Sequence, residues 1–136
     1  MSEDTPIRLL IMDDEEGYVN VLANRLGKRG IAVTKTFSGG QAIQTLRKHD
    51  FDVALLDLKM EDMDGIEVLQ IFKKMDPELA VLMITGHGSE EAARQGIEAG
   101  AFDYLTKPCE LTKLVAKIRQ AHRSRQREPV PPVSNR

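Results

Sequence analysis

The chain has 136 residues, 41% hydrophobic and 29% charged, which fits one soluble globular domain with a core of its own. A formal net charge of −2 and a pI of about 5.9 exclude a general attraction to nucleic acid or membrane. Cys109 is the only cysteine, so an intrachain disulfide is excluded, and with no close His pair so is an ordinary zinc site.

The absence of disulfide pairing suits a reducing cytoplasm. Pro6 and Arg8 interrupt the N-terminal stretch before any signal-like apolar run develops, and no run approaches the roughly 20 apolar residues of a membrane span. Residues 7–12 (IRLLIM) form a first short strand, followed at once by Asp13-Asp14-Glu15-Glu16, acids that also suit the first turn of a helix. Val19, Leu22, Ala23 and Leu26 give that helix one apolar face, and Gly30 stops it. Residues 31–37 read as a more polar strand near a sheet edge. Ser38-Gly39-Gly40-Gln41 is a capping-box pattern, with Ser38 as N-cap and Gln41 reaching back to it. Ala42, Ile43 and Leu46 are the buried stripe of the helix it opens.

Val53-Ala54-Leu55-Leu56 is too short for a helix and reads as a strand buried on both faces, closed by Asp57. A polar turn leads into a helix from about Gly65, with Val68, Leu69, Phe72 and Met75 inward, ended by Asp76-Pro77. Residues 80–85 (AVLMIT) are another apolar strand, ending in a hydroxyl. The next helix, over roughly residues 90–99, is weak: small alanines, a central Gly96, and Ile97 as its one large apolar side chain. Residues 101–106 form a last strand ending at Lys107-Pro108, and Leu111, Leu114, Val115 and Ile118 line a final helix. The domain is expected to span residues 1–124. Residues 125–136, polar and proline-rich, read as a tail or a linker to a further segment.

Strands alternating with helices at this spacing predict an α/β fold: a doubly wound five-stranded parallel sheet in the order 2-1-3-4-5, with helices on both faces. That order brings four strand ends together: Asp13-Asp14, Asp57, Thr85 and Lys107 share one rim. Three carboxylates in one place repel, and force one to take a proton unless a cation intervenes. Lys107 supplies one positive charge, and an all-oxygen set with few protein ligands suits Mg²⁺ for the rest. A carboxylate nucleophile, a metal, a lysine and a hydroxyl make a phosphoryl-transfer site.

The pattern resembles the receiver domain of two-component response regulators, a flavodoxin-like fold, over residues 7–123. The residues that carry the resemblance are Asp13-Asp14, Leu55-Leu56-Asp57, Met63-Asp64-Gly65, Thr85-Gly86, and Tyr104 three residues before Lys107-Pro108. The resemblance implies that Asp57 accepts a phosphoryl group. Asp13, Asp14, Asp57 and the Lys59 carbonyl would organise Mg²⁺, Thr85 and Lys107 would bind phosphoryl oxygens, and Tyr104 would be the switch aromatic. Lys59 and His87, each two residues past a site residue, are expected to tune the lifetime of the phosphoryl group. The implied partners are a sensor histidine kinase or phosphotransfer protein, and a downstream protein meeting the face of residues 90–122. The chain is then a cytoplasmic monomer or weak dimer that catalyses its own phosphorylation and dephosphorylation, rather than a conventional turnover enzyme. The sequence departs from the family's habit at Glu61, where proline often follows the methionine, and at Cys109, where phenylalanine is common.

Other readings stand beside this one. Asp52, Asp62 and Asp64 are rival acceptors, but Asp52 opens the strand and the others lie beyond its end. His87 reads as exposed rather than catalytic, and the basic run over residues 119–127 as a solvated helix end rather than a DNA-binding surface. The alternative function is an interaction module of the same fold that works unphosphorylated. An aspartyl magnesium phosphatase would place two Asp residues two apart after the first strand, where this chain has adjacent acids. A dinucleotide binder would need a Gly-rich loop there.

Overall fold

The computed structural model describes residues 5–60, 62–86 and 90–126. Ten elements alternate: β1 (Ile7–Met12), α1 (Glu16–Lys28), β2 (Ile31–Thr36), α2 (Gly39–Lys48), β3 (Val53–Asp57), α3 (Gly65–Met75), β4 (Ala80–Thr85), α4 (Glu90–Glu98), β5 (Asp103–Thr106) and α5 (Leu111–Gln126). The five strands form one parallel sheet in the order β2-β1-β3-β4-β5, as the alternation predicted. The period-2 geometry of the strands sorts the apolar residues into two cores. Leu9, Ile11, Val53 and Leu55 pack under α1 and α5, while Leu10, Met12, Ala54 and Leu56 pack under α2, α3 and α4. β3 and β4 are buried along their whole length, whereas edge strand β2 is buried only at its two ends, Ile31 and Thr36.

Local chemistry explains the boundaries. Gly30 (φ 84°) and Gly100 (φ 115°) take the left-handed conformation that ends α1 and α4. The Ala101 amide donates to the Gly96 carbonyl, so residue 101 completes the helix end, and the last strand starts at Asp103 rather than at 101. At α2, Ser38 Oγ accepts the Gln41 amide at 3.1 Å. Gln41 Oε1 reaches past Ser38 to the Phe37 amide at 2.7 Å, which ends β2 at Thr36.

Gly96 has a packing role as well as a cost to helix propensity. A Cβ there would lie 2.0 Å from the Met83 sulfur, so the missing side chain lets α4 sit close on β4. Ile97, the helix's one large apolar residue, points outward and is 40% exposed. Among described residues, no helix is long and apolar enough to cross a membrane.

Candidate functional site

The sheet places its functional side chains at the C-terminal strand ends, where ligands sit in open α/β sheets. β1 and β3 are neighbours in register, Met12 opposite Leu56, so Asp13 and Asp57 each occupy the next position along adjacent strands. Carboxylate oxygens of Asp13, Asp14 and Asp57 lie within 4.8 Å of one another. Asp13 and Asp57 are buried and Asp14 is exposed, so the group is a half-open acidic cup.

Lys107 enters from the end of β5. Its amide donates to the Thr85 carbonyl at 2.7 Å, which ties the β5–α5 turn to β4. Its Nζ lies 2.9 Å from Asp13 Oδ2, 2.8 Å from Glu15 Oε1 and 3.6 Å from Asp57 Oδ2, with the Tyr18 ring centroid 4.7 Å away. Burial works against the Lys107 ammonium, but the Glu15 and Asp13 carboxylates and the Asp57 charge outweigh it and raise its pKa.

Asp57 has the opposite problem. Burial pushes its carboxyl up to about 6, with Asp13 and Asp14 adding repulsion. The Lys59 amide, donating to Asp57 Oδ1 at 3.2 Å, and the Lys107 charge only partly offset this. An oxygen-only cluster whose innermost member resists ionisation fits a hard divalent cation, because a positive charge there removes the penalty.

The loop from β3 to α3 is pinned at several points. The backbones of Lys59 and Asp64 pair in an isolated antiparallel β-bridge, and Asp64 caps α3 by accepting the Ile66 amide. Asp62 accepts the Gly39 and Gly40 amides at 3.0 and 3.1 Å, which fastens the loop to the N-terminus of α2 and lowers the Asp62 pKa. Gly65 is required by close approach: a Cβ would meet the Leu58 Cα at 2.6 Å. The rival acceptors thus have other partners, Asp62 and Asp64 as caps and Asp52 at the opposite end of the sheet.

Asp13, Asp14, Asp57 and Lys107 come together as the strand-end pattern predicts. Thr85 is buried one register position beyond the residue opposite Asp57, with its hydroxyl donating to the Gly86 carbonyl at 3.2 Å. Tyr104 lies on β5 and is 38% exposed. His87, Glu61 and the chain beyond Gln126 lie outside the described residues, and so does most of the tail expected from 125. α5 itself runs to Gln126. Sequence reasoning missed Glu15 and Tyr18 as contacts of Lys107. Glu15 stood in the acidic run after β1, where a helix-dipole role accounted for it.

A family model for the response regulator receiver domain matches residues 9–119. Among curated proteins, the chain is 36% identical over 115 residues to the transcriptional regulatory protein ZraR of Escherichia coli K12, covering 85% of this chain and 26% of that protein. It is 35% identical over 130 residues to the response regulator protein PilR of Pseudomonas aeruginosa, covering 95% of this chain and 29% of that protein. The chain thus spans little more than a quarter of the length of these relatives. A response regulator receiver domain protein from Clostridium thermocellum superposes with a TM-score of 0.85 at 29% identity, covering 88% of this chain and 97% of that one. The receiver domain of NtrX from Brucella abortus gives 0.82 at 30% identity, covering 85% and 98%. Receiver domains generally bind Mg²⁺ at an acidic pocket and work between a histidine kinase and a downstream effector; this chain carries a cluster of Asp13, Asp14 and Asp57 at its strand ends. The chain belongs to the response regulator receiver domain family, with the flavodoxin-like fold and two-component signalling role that define it.

Proposed function

We propose that Asp57 accepts a phosphoryl group from a phosphohistidine of a sensor kinase or phosphotransfer protein, with Mg²⁺ as cofactor. The observation that carries this is the approach of three carboxylates to within 4.8 Å around Asp57, with Lys107 Nζ 3.6 Å from its Oδ2. An Asp57 oxygen forms the new bond to phosphorus while the donor's phosphorus–nitrogen bond breaks. The electron pair leaves on the imidazole nitrogen, which takes its proton from solvent. Asp13, Asp14, the Asp57 side chain and the Lys59 carbonyl would hold Mg²⁺, whose charge would neutralise the carboxylates and the phosphoryl oxygens.

Lys107 and Thr85 then serve the product. A phosphoryl group carries roughly −1.5 to −2 charge, and charge-assisted hydrogen bonds contribute about 1.5–3 kcal/mol each. Two such bonds approach the roughly 5.5 kcal/mol that moves a two-state equilibrium from 1:99 to 99:1. Movement of Thr85 with reorientation of Tyr104 would re-face the surface of residues 90–122 for a downstream protein. Lys59 and His87 would set the rate at which water returns the aspartate. The domain would act in the cytoplasm, with α5 closing it at Gln126 and the residues beyond as tail or linker.

The test is incubation with Mg²⁺ and a small phosphodonor, followed by mapping of the adduct labile to both acid and base. The adduct is expected on Asp57 and absent from Asp57→Asn. Full modification of Asp57→Asn would remove the assignment.

A further inference from the structure

In the resting domain Lys107 is committed elsewhere than to Asp57. Its two short contacts go to Asp13 and Glu15, while the Asp57 oxygen stands 3.6 Å away, beyond hydrogen-bond length. Asp13 organises both partners: its Oδ2 faces the ammonium, and its Oδ1 accepts the Glu15 amide at 3.0 Å. Glu15 occupies the N-cap position of α1, yet its side chain makes no capping hydrogen bond. The carboxylate is therefore free of the helix backbone and is used on Lys107. Glu15 is not one of the three converging carboxylates, so a cation in the cup would draw on Asp13 and leave Glu15 as the contact competing for Lys107.

We propose that Glu15 is a latch on Lys107: it holds the ammonium off Asp57 in the resting domain and must release it to an arriving phosphoryl group. Glu15 thereby sets how tightly the site takes up that group. The inference rests on the phosphoacceptor reading above and adds a positioning residue to it. The effect is modest, because the Glu15 side chain is 63% exposed and solvent screens the pair.

The test uses the full chain with Mg²⁺ and beryllofluoride as the phosphoryl mimic, the dissociation constant being read from amide NMR shifts. Glu15→Gln is expected to bind the mimic about 2- to 5-fold more tightly than wild type, the range for loss of one exposed ion pair. Glu16→Gln removes the same charge from the next residue, which makes no described contact with Lys107, and is expected to stay near wild type. Equal or weaker binding by Glu15→Gln, or an equal gain in Glu16→Gln, would overturn the latch, the second result assigning the effect to the general field. If wild type binds no mimic, the phosphoacceptor reading falls and the latch with it. Uptake by wild type without a gain in Glu15→Gln removes the latch alone.

Discussion

β3 has a buried carboxylate at each end, and the molecule treats the two in opposite ways. Asp52, just before the strand, accepts the Arg8 amide at 2.9 Å and the Arg8 guanidinium at 2.9 and 3.2 Å, with Arg125 of α5 at 3.4 Å. Burial disfavours its charge, but the Arg8 hydrogen bonds and charge prevail and lower its pKa. Asp57, at the other end, is buried to a similar degree but faces two more acids and a lysine that is hydrogen-bonded to others. One end is electrostatically closed and holds β1, β3 and α5 together. The other is left under-compensated, which disfavours the apo fold and favours whatever cation or phosphoryl chemistry arrives.

The largest expected effect is at the closed end. Asp52→Ala leaves Arg8 and Arg125 without their acceptor and should cost about 2–3 kcal/mol of stability, toward the low side for a broken buried pair because Arg8 is half exposed. Denaturant unfolding measures this, and phosphoryl uptake at Asp57 should persist in the folded fraction. An unchanged midpoint would show that the two ends do not differ as described.

The pH dependence sharpens the contrast. Asp52, with its pKa below the ordinary value, contributes stability that is present above about pH 4 and lost as pH falls through its folded pKa. Asp57, raised to about 6, works the other way: the folded state takes up its proton first, so the penalty present at neutral pH is relieved as pH falls through 6. The Asp57 contribution should therefore raise metal-free stability by about 1–2 kcal/mol between roughly pH 7 and pH 5, and saturating Mg²⁺ should suppress the rise. A metal-free gap between wild type and Asp57→Asn that stays constant across that range would contradict the assignment. Arg125→Met is the smallest effect, under about 1 kcal/mol, since its 3.4 Å contact is the longest on Asp52.

The strand-end half of the site was legible because it depends on short-range signals. Apolar runs fix where β1, β3 and β4 end, the parallel order fixes which ends are neighbours, and Asp13, Asp57, Thr85 and Lys107 follow. Contacts between side chains far apart in the chain carry no such signal. Glu15 meets Lys107 across 92 residues, and Asp52 meets Arg8 and Arg125 across 44 and 73. Asp52 could be set aside as an acceptor from its position, but not identified as the anchor of the closed end. Gly96 was half legible: its cost to helix propensity is local, whereas the close seat on Met83 depends on how α4 meets the sheet.

The contrast between the two ends of β3 requires that the charge on Asp57 destabilise the metal-free fold and be compensated from outside. It is tested most directly by urea unfolding of wild type and Asp57→Asn at neutral pH, each with and without Mg²⁺. Without metal, Asp57→Asn should be the more stable by about 1–2 kcal/mol, a discounted form of the raised carboxyl pKa. With saturating Mg²⁺ wild type should gain stability by mass action and the gap should close or reverse. A metal-free Asp57→Asn no more stable than wild type, with equal responses to Mg²⁺, would contradict the account.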